Sequence, residues 1–330
     1  MTEPAPTPMR IVVRAPNWLG DVVLSLAAVR DLRRNFPQAR IEVLARPAVA
    51  TLYGAVTEVD AVRESHGVRA DAQAIAGGFD AGVLLTNSLG SALALRMARI
   101  PERWGYATDA RRLLLTRRAH VLPAVRGRSQ VYYYRAMLAG LGLRVTAEPE
   151  TALRAPEEWL ASADRLLGPG DWVGLNPGAA FGPAKRWPLS RFAAVGDRLA
   201  RTTGAQVAIL GGPSERPSAE AVAAAMRHPA RVLAGQTSLA DLVGVLARVR
   251  VLVTNDSGPM HVASALGTPV AAVFGPTDPG ETAPVGRARL LSEPVHCAPC
   301  GLRACPIDHR CMTRVAAERV AEAAEELIAS

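Results

Sequence analysis

The sequence predicts an α/β chain built from two doubly wound domains. Three observations carry that reading: a strand–elbow–helix–strand stretch at Val251–Gly275, an opening β-loop-α-β unit at Met9–Ala45, and a restart of the same alternation at Trp172. With 330 residues, 49% of them hydrophobic and 21% charged, the chain has the length and composition of two globular domains with separate cores. It holds no uninterrupted apolar run of about 18 residues, so no transmembrane helix is expected. The Pro-rich start, MTEPAPTPMR, lacks an apolar h-region and reads as a frayed tail rather than a signal peptide, which gives a cytoplasmic protein as the expectation.

Taken in order, Met9–Arg14 is a short apolar strand, Ala15–Asp21 a turn, and Val22–Arg34 an amphipathic helix with a basic end. Pro37 closes that helix, and Ile41–Ala45 is the next strand. Asp80–Leu85 and Leu89–Ala98 repeat the strand–helix pair, Pro101–Arg128 is less regular and Arg-rich, and Ser129–Leu141 is a helix ended by Gly142. The polar, Pro-bearing Ala147–Pro156 marks the break between domains. We therefore expect a first domain over residues 1–155, a connecting segment over 156–170, a second domain over 171–312 and a C-terminal helix over 313–330. In the second half, strands are expected at Trp172–Leu175, Gln206–Leu210 and Arg231–Leu233, with helices at Leu189–Thr202, Ala219–Met226 and Ser238–Ala247. Two such domains in tandem place a cleft between them, and their ligands bind at the carboxyl ends of the strands. The G-x-G-x-x-G fingerprint is absent, so dinucleotide binding has no positive support.

The stretch VLVTNDSGPMHVASALGTPVAAVFG is the most informative. Val251–Thr254 is a buried strand, Asn255–Gly258 a polar elbow, and Pro259–Leu266 a helix with Pro in its first turn and Gly267 past its end. A strand, a polar elbow and a helix N-terminus make a phosphate site. The plain alternative is that Asp256 only caps the helix and His261 is a satisfied helical histidine.

The net charge is +8, and Arg96–Arg128 alone holds nine Arg against Glu102 and Asp109. Such a cluster is either a solvated basic face or a surface for nucleic acid, an acidic membrane or a phosphorylated substrate. Aromatic residues make up only 5% of the chain and do not interleave with it, which argues against stacking on single strands. All but one of the 38 basic residues are Arg, and the exception is Lys185. A lysine kept in such a chain suggests a site that needs a compact ammonium.

Lys185 and Arg186 lie in a Gly/Pro loop, NPGAAFGPAKRW, whose Gly178 frees backbone N–H groups. With Ser257 and Gly258 at a helix N-terminus they form a diphosphate cradle that needs no metal, and the chain contains no Asp-x-Asp clamp. Glu215, one βα unit on, either accepts from a ribose hydroxyl or caps the next helix. In the first half, Asp21 is either a first-turn acid favouring its helix dipole or a carboxylate base, and Trp18 is a sugar platform or core. His296 and His309 accompany Cys297, Cys300, Cys305 and Cys311, four cysteines within 15 residues. Their spacing suits one structural zinc ion, with metal-free thiols stapling a loop as the alternative; cytosolic disulfides are not expected.

Taken together, NWLGDVVLSLAAVRDLRR, NPGAAFGPAKRWP and NDSGPMHVASALGTPVAAVFGPTDP resemble the lipopolysaccharide heptosyltransferases of glycosyltransferase family 9, and the HCAPC…CP…H-x-C tail strengthens the likeness. The resemblance spans nearly the whole chain. It implies a GT-B fold, two Rossmann-like domains facing a central cleft, with the acceptor on the first and ADP-heptose on the second. It implies inverting transfer of L-glycero-D-manno-heptose to the first heptose of the lipopolysaccharide inner core, heptosyl-Kdo2-lipid A, by a peripheral protein on the inner face of the inner membrane. No cofactor is required and nucleic acid is not a partner. On this likeness Asp21 matches the base and Lys185 the lysine facing the diphosphate. Asp256, Ser257, Gly258 and His261 match the nucleotide-sugar motif, with Gly178, Arg186 and Glu215 completing the donor set. Asn17, Trp18, Arg96 and Arg103 are the expected acceptor residues. A heptosyltransferase I or III acting on another acceptor is the alternative within the family, and a non-enzymatic nucleic-acid-binding protein the alternative outside it.

Overall fold

The computed structural model describes residues 8–108 and 110–330, so most of the expected N-terminal tail and Asp109 lie outside the described residues. The chain divides into two compact units, the first ending at Thr151 and the second spanning Ala152–Ser330. Each unit is built on a six-stranded sheet whose strand pairs are all parallel.

The first sheet comprises β1 (Arg10–Arg14), β2 (Arg40–Ala45), β3 (Ala61–Glu64), β4 (Ala81–Leu84), β5 (Glu102–Tyr106) and β6 (Arg117–Ala119), in the order β3-β2-β1-β4-β5-β6. The second comprises β7 (Trp172–Asn176), β8 (Gln206–Ile209), β9 (Ala230–Val232), β10 (Leu252–Asn255), β11 (Val270–Val273) and β12 (Ala288–Leu291), in the order β12-β11-β10-β7-β8-β9. Both orders have the same topology. In each, the chain steps outward from its first strand, then returns beside that strand to build the other half.

The central strands are apolar on both faces because helices cover both, as parallel sheets require. Helix α1 (Leu19–Asn35) buries an unbroken run from Val22 to Leu32, with Asp21 in its first turn and Arg33 and Arg34 in its last, each favouring the helix dipole. Helices α2 (Val68–Ala74), α3 (Leu89–Met97) and α4 (Gln130–Gly140) are the other longer helices of the first unit, which also has a single turn at Pro47–Ala50. The second unit carries α5 (Glu157–Leu167), α6 (Leu189–Thr203), α7 (Arg216–Ala225), α8 (Leu239–Arg248), α9 (Gly258–Ala265) and α10 (Ala317–Ala329). Its core gathers Leu175, Phe192 and Val253 with Val320, Ala324 and Leu327 of α10. No helix among the described residues is long and apolar enough to cross a membrane.

Two expectations change. The stretch 156–170, expected to connect the domains through a helix at Glu157–Leu167, has that helix as α5 but belongs to the second unit. A Cβ on Gly244 of α8 would lie 2.2 Å from the Trp159 carbonyl of α5, so the glycine lets the two helices approach closely. Arg248 forks onto Asp164 at 2.8 Å through both Nε and Nη2. The Arg-rich 101–128 stretch contains β5 and β6, not an irregular basic face. Trp104 and Tyr106 are buried there, and several arginines are spent inside the fold. Arg111, fully buried, donates from Nε to the Tyr106 carbonyl at 2.8 Å. Arg103 reaches the Leu114 carbonyl at 2.7 Å, and the Arg117 guanidinium sits 4.6 Å from the Trp104 ring centre.

Candidate functional site

In an open parallel sheet the binding crevice forms at the carboxyl ends of the two strands where the order reverses. In the second unit those strands are β7 and β10, and the predicted loops follow both. Asn176 ends β7 and donates to Thr254 Oγ1 and Ser257 Oγ, each at 3.0 Å. Asn255 ends β10. It accepts from the Trp187 N–H at 3.0 Å and donates to the Pro177 carbonyl at 2.8 Å. These two amides tie the Gly/Pro loop after β7 to the elbow after β10.

The tie brings Lys185 onto Asp256. Lys185 Nζ donates to Asp256 Oδ2 at 2.5 Å, and the two residues are 8% and 5% exposed. The same carboxylate oxygen accepts from Thr277 Oγ1 at 2.6 Å and Thr282 Oγ1 at 3.2 Å. Asp256 is therefore a buried, multiply bonded counter-ion and does not cap α9. Ser257 stands at the N-cap position with its hydroxyl turned to Asn176 and Thr254, which leaves the first N–H groups of α9 without a side-chain cap. A negatively charged ligand is favoured at such a terminus.

His261, in α9, is 6% exposed, and its Nδ1 has no hydrogen-bond partner. Burial lowers its pKa to about 4; the Asp256 charge opposes that shift and the Lys185 charge adds to it. The ring is therefore neutral at pH 7. Glu215 Oε2 accepts from the Gly212 N–H at 2.8 Å, and its carboxylate lies against Gly178, where a Cβ would fall 2.0 Å from Oε1. Beside Glu215, a cavity of about 110 Å³ is lined by Gly211, Ser238, Leu239, Leu242 and Pro259. Gly178, Lys185, Glu215, Asp256, Ser257, Gly258 and His261 thus gather along one sheet edge, with Arg186 exposed in the same loop.

The Cys-rich segment is strapped across that loop. The Ala184 N–H donates to the Arg303 carbonyl at 3.0 Å, and His309 Nε2 lies 2.6 Å from the Ala184 carbonyl. Phe181 carries Lys185 Nζ 4.9 Å and the Arg303 guanidinium 5.4 Å from its ring centre. The four thiols are free, and Cys305 Sγ accepts from the His309 N–H at 3.3 Å. Among the described residues no three His, Cys, Asp or Glu side chains are arranged to hold a metal ion, so of the two readings of Cys297, Cys300, Cys305 and Cys311 the zinc one finds no preformed ligand set.

In the first unit the order reverses between β1 and β4. Asn17, Trp18 and Asp21 follow β1, and Trp18 is 60% exposed, a free aromatic face and not core. Arg14 Nη2 donates to Asn17 Oδ1 at 3.0 Å. The Tyr134 hydroxyl is pushed well above its ordinary pKa, first by burial and then by the Asp21 charge. Arg96 and Arg103 are not at this edge. Arg103 pairs in register with Gly82, two residues before the end of β4 at Leu84, and Arg96 lies in the last turn of α3.

Asn176, Thr277, Thr282 and His309 were missed as members of the second site, and Asn255 was read only as part of the elbow. The GPTDP run after β11 carried a signal for Thr277, since its Gly, Pro and Asp mark a turn beside a strand end; Thr282 lies beyond that run. His309 gave none, because its partner lies 125 positions away in sequence.

The sequence matches the description "Glycosyltransferase family 9 (heptosyltransferase)" over residues 68–310. The chain is 32% identical to lipopolysaccharide heptosyltransferase 2 of Salmonella typhimurium, over 86% of this chain and 88% of that protein. It superposes on the solved ADP-heptose lipopolysaccharide heptosyltransferase II of Escherichia coli with a TM-score of 0.84 at 29% identity, covering 97% of this chain and 99% of that one. A family 9 glycosyltransferase from Veillonella parvula also gives a TM-score of 0.84, at 25% identity and 97% coverage of both chains. The twin sheets, the loops at the carboxyl edge of the second and these matches assign the chain to glycosyltransferase family 9, the heptosyltransferases.

Proposed function

We propose that this chain transfers L-glycero-D-manno-heptose from ADP-heptose to the first heptose of the lipopolysaccharide inner core, with inversion at the anomeric carbon. The observation that carries the reading is the buried Lys185–Asp256 pair beside the uncapped α9 N-terminus, in a chain that matches heptosyltransferase 2 over most of its length.

An inverting displacement needs a base and a stabilised leaving group. Asp21 is the base. The acceptor hydroxyl oxygen bonds to the anomeric carbon, its proton passes to the Asp21 carboxylate, and the bond from that carbon to the phosphate oxygen breaks with its electron pair on ADP. The departing diphosphate is met by Lys185, Arg186 and the N–H groups of Ser257 and Gly258. Asp256 holds Lys185 in place, neutral His261 lies beside the pair, and Gly178 leaves room for Glu215 to take the ribose. Asn17 and the exposed Trp18 present the acceptor sugar. These residues supply base and charge themselves, and no cofactor has a step to perform. The protein works as a peripheral partner of the inner membrane's cytoplasmic surface, where its lipid-linked acceptor resides.

The test is ADP release from ADP-heptose with heptosyl-Kdo2-lipid A, beside Kdo2-lipid A. Release only with the heptosylated acceptor is expected, and it should persist in EDTA. Release only with Kdo2-lipid A would replace this reading with a heptosyltransferase I. Silence with both would overturn the donor.

A further inference from the structure

The lysine of the cradle is already paired. Lys185 Nζ lies 2.5 Å from Asp256 Oδ2, and both residues are buried. Opposite unit charges in contact present little net charge to a third group. The α9 N-terminus adds only roughly half a unit charge. A diphosphate carries several negative charges, so the cradle is short of positive charge unless exposed cations supply it. Arg186 is one such cation. A second stands on the Cys-rich strap.

That residue is Arg303, fixed by its main chain and free at its tip. Its carbonyl accepts from the Ala184 N–H at 3.0 Å, next to Lys185, and a Cβ on Gly182 would strike the same carbonyl. His309 Nε2 lies 2.6 Å from the Ala184 carbonyl, and the Gly301 N–H donates to the Pro276 carbonyl at 2.7 Å. The strap is thus tied both to the loop that carries Lys185 and to the loop after β11 that carries Thr277. The Arg303 guanidinium is exposed and, among the described residues, has no hydrogen-bond or ion-pair partner. It rests on the Phe181 ring, 5.4 Å from the centre, and the same ring has Lys185 Nζ at 4.9 Å. The two charges therefore stand close enough for one diphosphate to meet both. Arg310, on the same strap, is different: Asp308 holds it at 2.8 Å through Nε and 2.7 Å through Nη2.

We propose that Arg303 is a further donor-binding residue, whose guanidinium meets the diphosphate from the strap with the planar fork that suits phosphate oxygens. The assignment rests on the reading above for the identity of the nucleotide; what Arg303 itself recognises is the diphosphate.

The experiment is a calorimetric titration of the full chain, with no acceptor present, using ADP, inorganic pyrophosphate and adenosine. Arg303→Gln should weaken ADP and pyrophosphate about tenfold each and leave adenosine unchanged. Arg303→Lys, which keeps the charge and loses the fork, should fall between. Arg310→Gln should match the wild type with all three probes. The loop contacts of residue 303 are made by its main chain, so the variants should also keep the wild-type melting temperature. Wild-type affinity for both phosphates in Arg303→Gln, an equal loss with adenosine, or no binding of either phosphate by the wild type would each overturn the proposal. Pyrophosphate bound through Arg303 without any binding of ADP would support this assignment and overturn the nucleotide reading. In turnover, Arg303→Gln should raise the KM for ADP-heptose about tenfold and leave the acceptor KM unchanged.

Discussion

Lys185 and Asp256 show how one buried pair ties stability to chemistry. Removing one partner of such a pair strands the other's charge and costs about 3–5 kcal/mol, whereas removing both costs far less. Lys185→Met should therefore lower the melting temperature more than Lys185→Met combined with Asp256→Asn, as calorimetry can read, while both variants lose turnover. Asp21→Asn should lower the melting temperature only slightly, by the lost helix-dipole charge, and lower kcat by about 10²–10⁴, the usual worth of a positioned base. An unchanged kcat would leave Asp21 as a helix-dipole residue. His261 adds a pH dependence. Its pKa falls from 6.5 to about 4 on folding, so the unfolded chain takes up the proton first. Its stabilisation is complete above pH 6.5 and declines as the pH falls toward 4, by about 3 kcal/mol at about 1.4 kcal/mol per unit. Thermal unfolding between pH 7 and pH 4.5 should show that decline in the wild type and a shallower one in His261→Phe.

At the scale of elements, the loop after β7 is held from two sides. Glu215 closes on Gly178, and the Cys-rich strap holds Ala184 through Arg303 and His309. His309→Ala should raise the KM for ADP-heptose several-fold with little change in kcat, and His309→Gln, which keeps an N–H donor, should restore part of it. Strands and helices near the middle of each sheet were readable because their apolar runs are long and their ends carry Pro and Gly signals. The helix after Ser257 was expected at Pro259–Leu266 and stands at Gly258–Ala265. Strands β5 and β6, the last two of the first sheet, were not readable, since their arginines find carbonyl and ring partners that only folding supplies. In the candidate site, motif residues such as Lys185 and Asp256 were visible as chemistry, but their mutual bond was not, because it spans 71 positions. The burial of Arg14 was also hidden: an arginine at a strand end reads as surface charge until its neighbours are placed.

At the scale of the whole molecule, two sheets of one topology each present a polar edge where their strand order reverses. Each has a core of its own, so each should respond to its own ligand. ADP at about 100 times its dissociation constant should stabilise the second unit by about 2.7 kcal/mol. In a calorimetric scan the transition belonging to Ala152–Ser330 should move upward, with the first unit's transition moved less. A shift confined to the first unit would put the nucleotide on the wrong sheet.

Because Lys185 is the chain's sole lysine, the diphosphate cradle doubles as a single-address chemical tag. Apart from the α-amine, an amine-acylating reagent has one place to react, and that place is shielded by Asp256, Phe181 and any bound nucleotide. The degree of acylation, weighed on the intact protein, therefore becomes a direct gauge of how often the cradle stands open, with no reporter group attached and no residue changed.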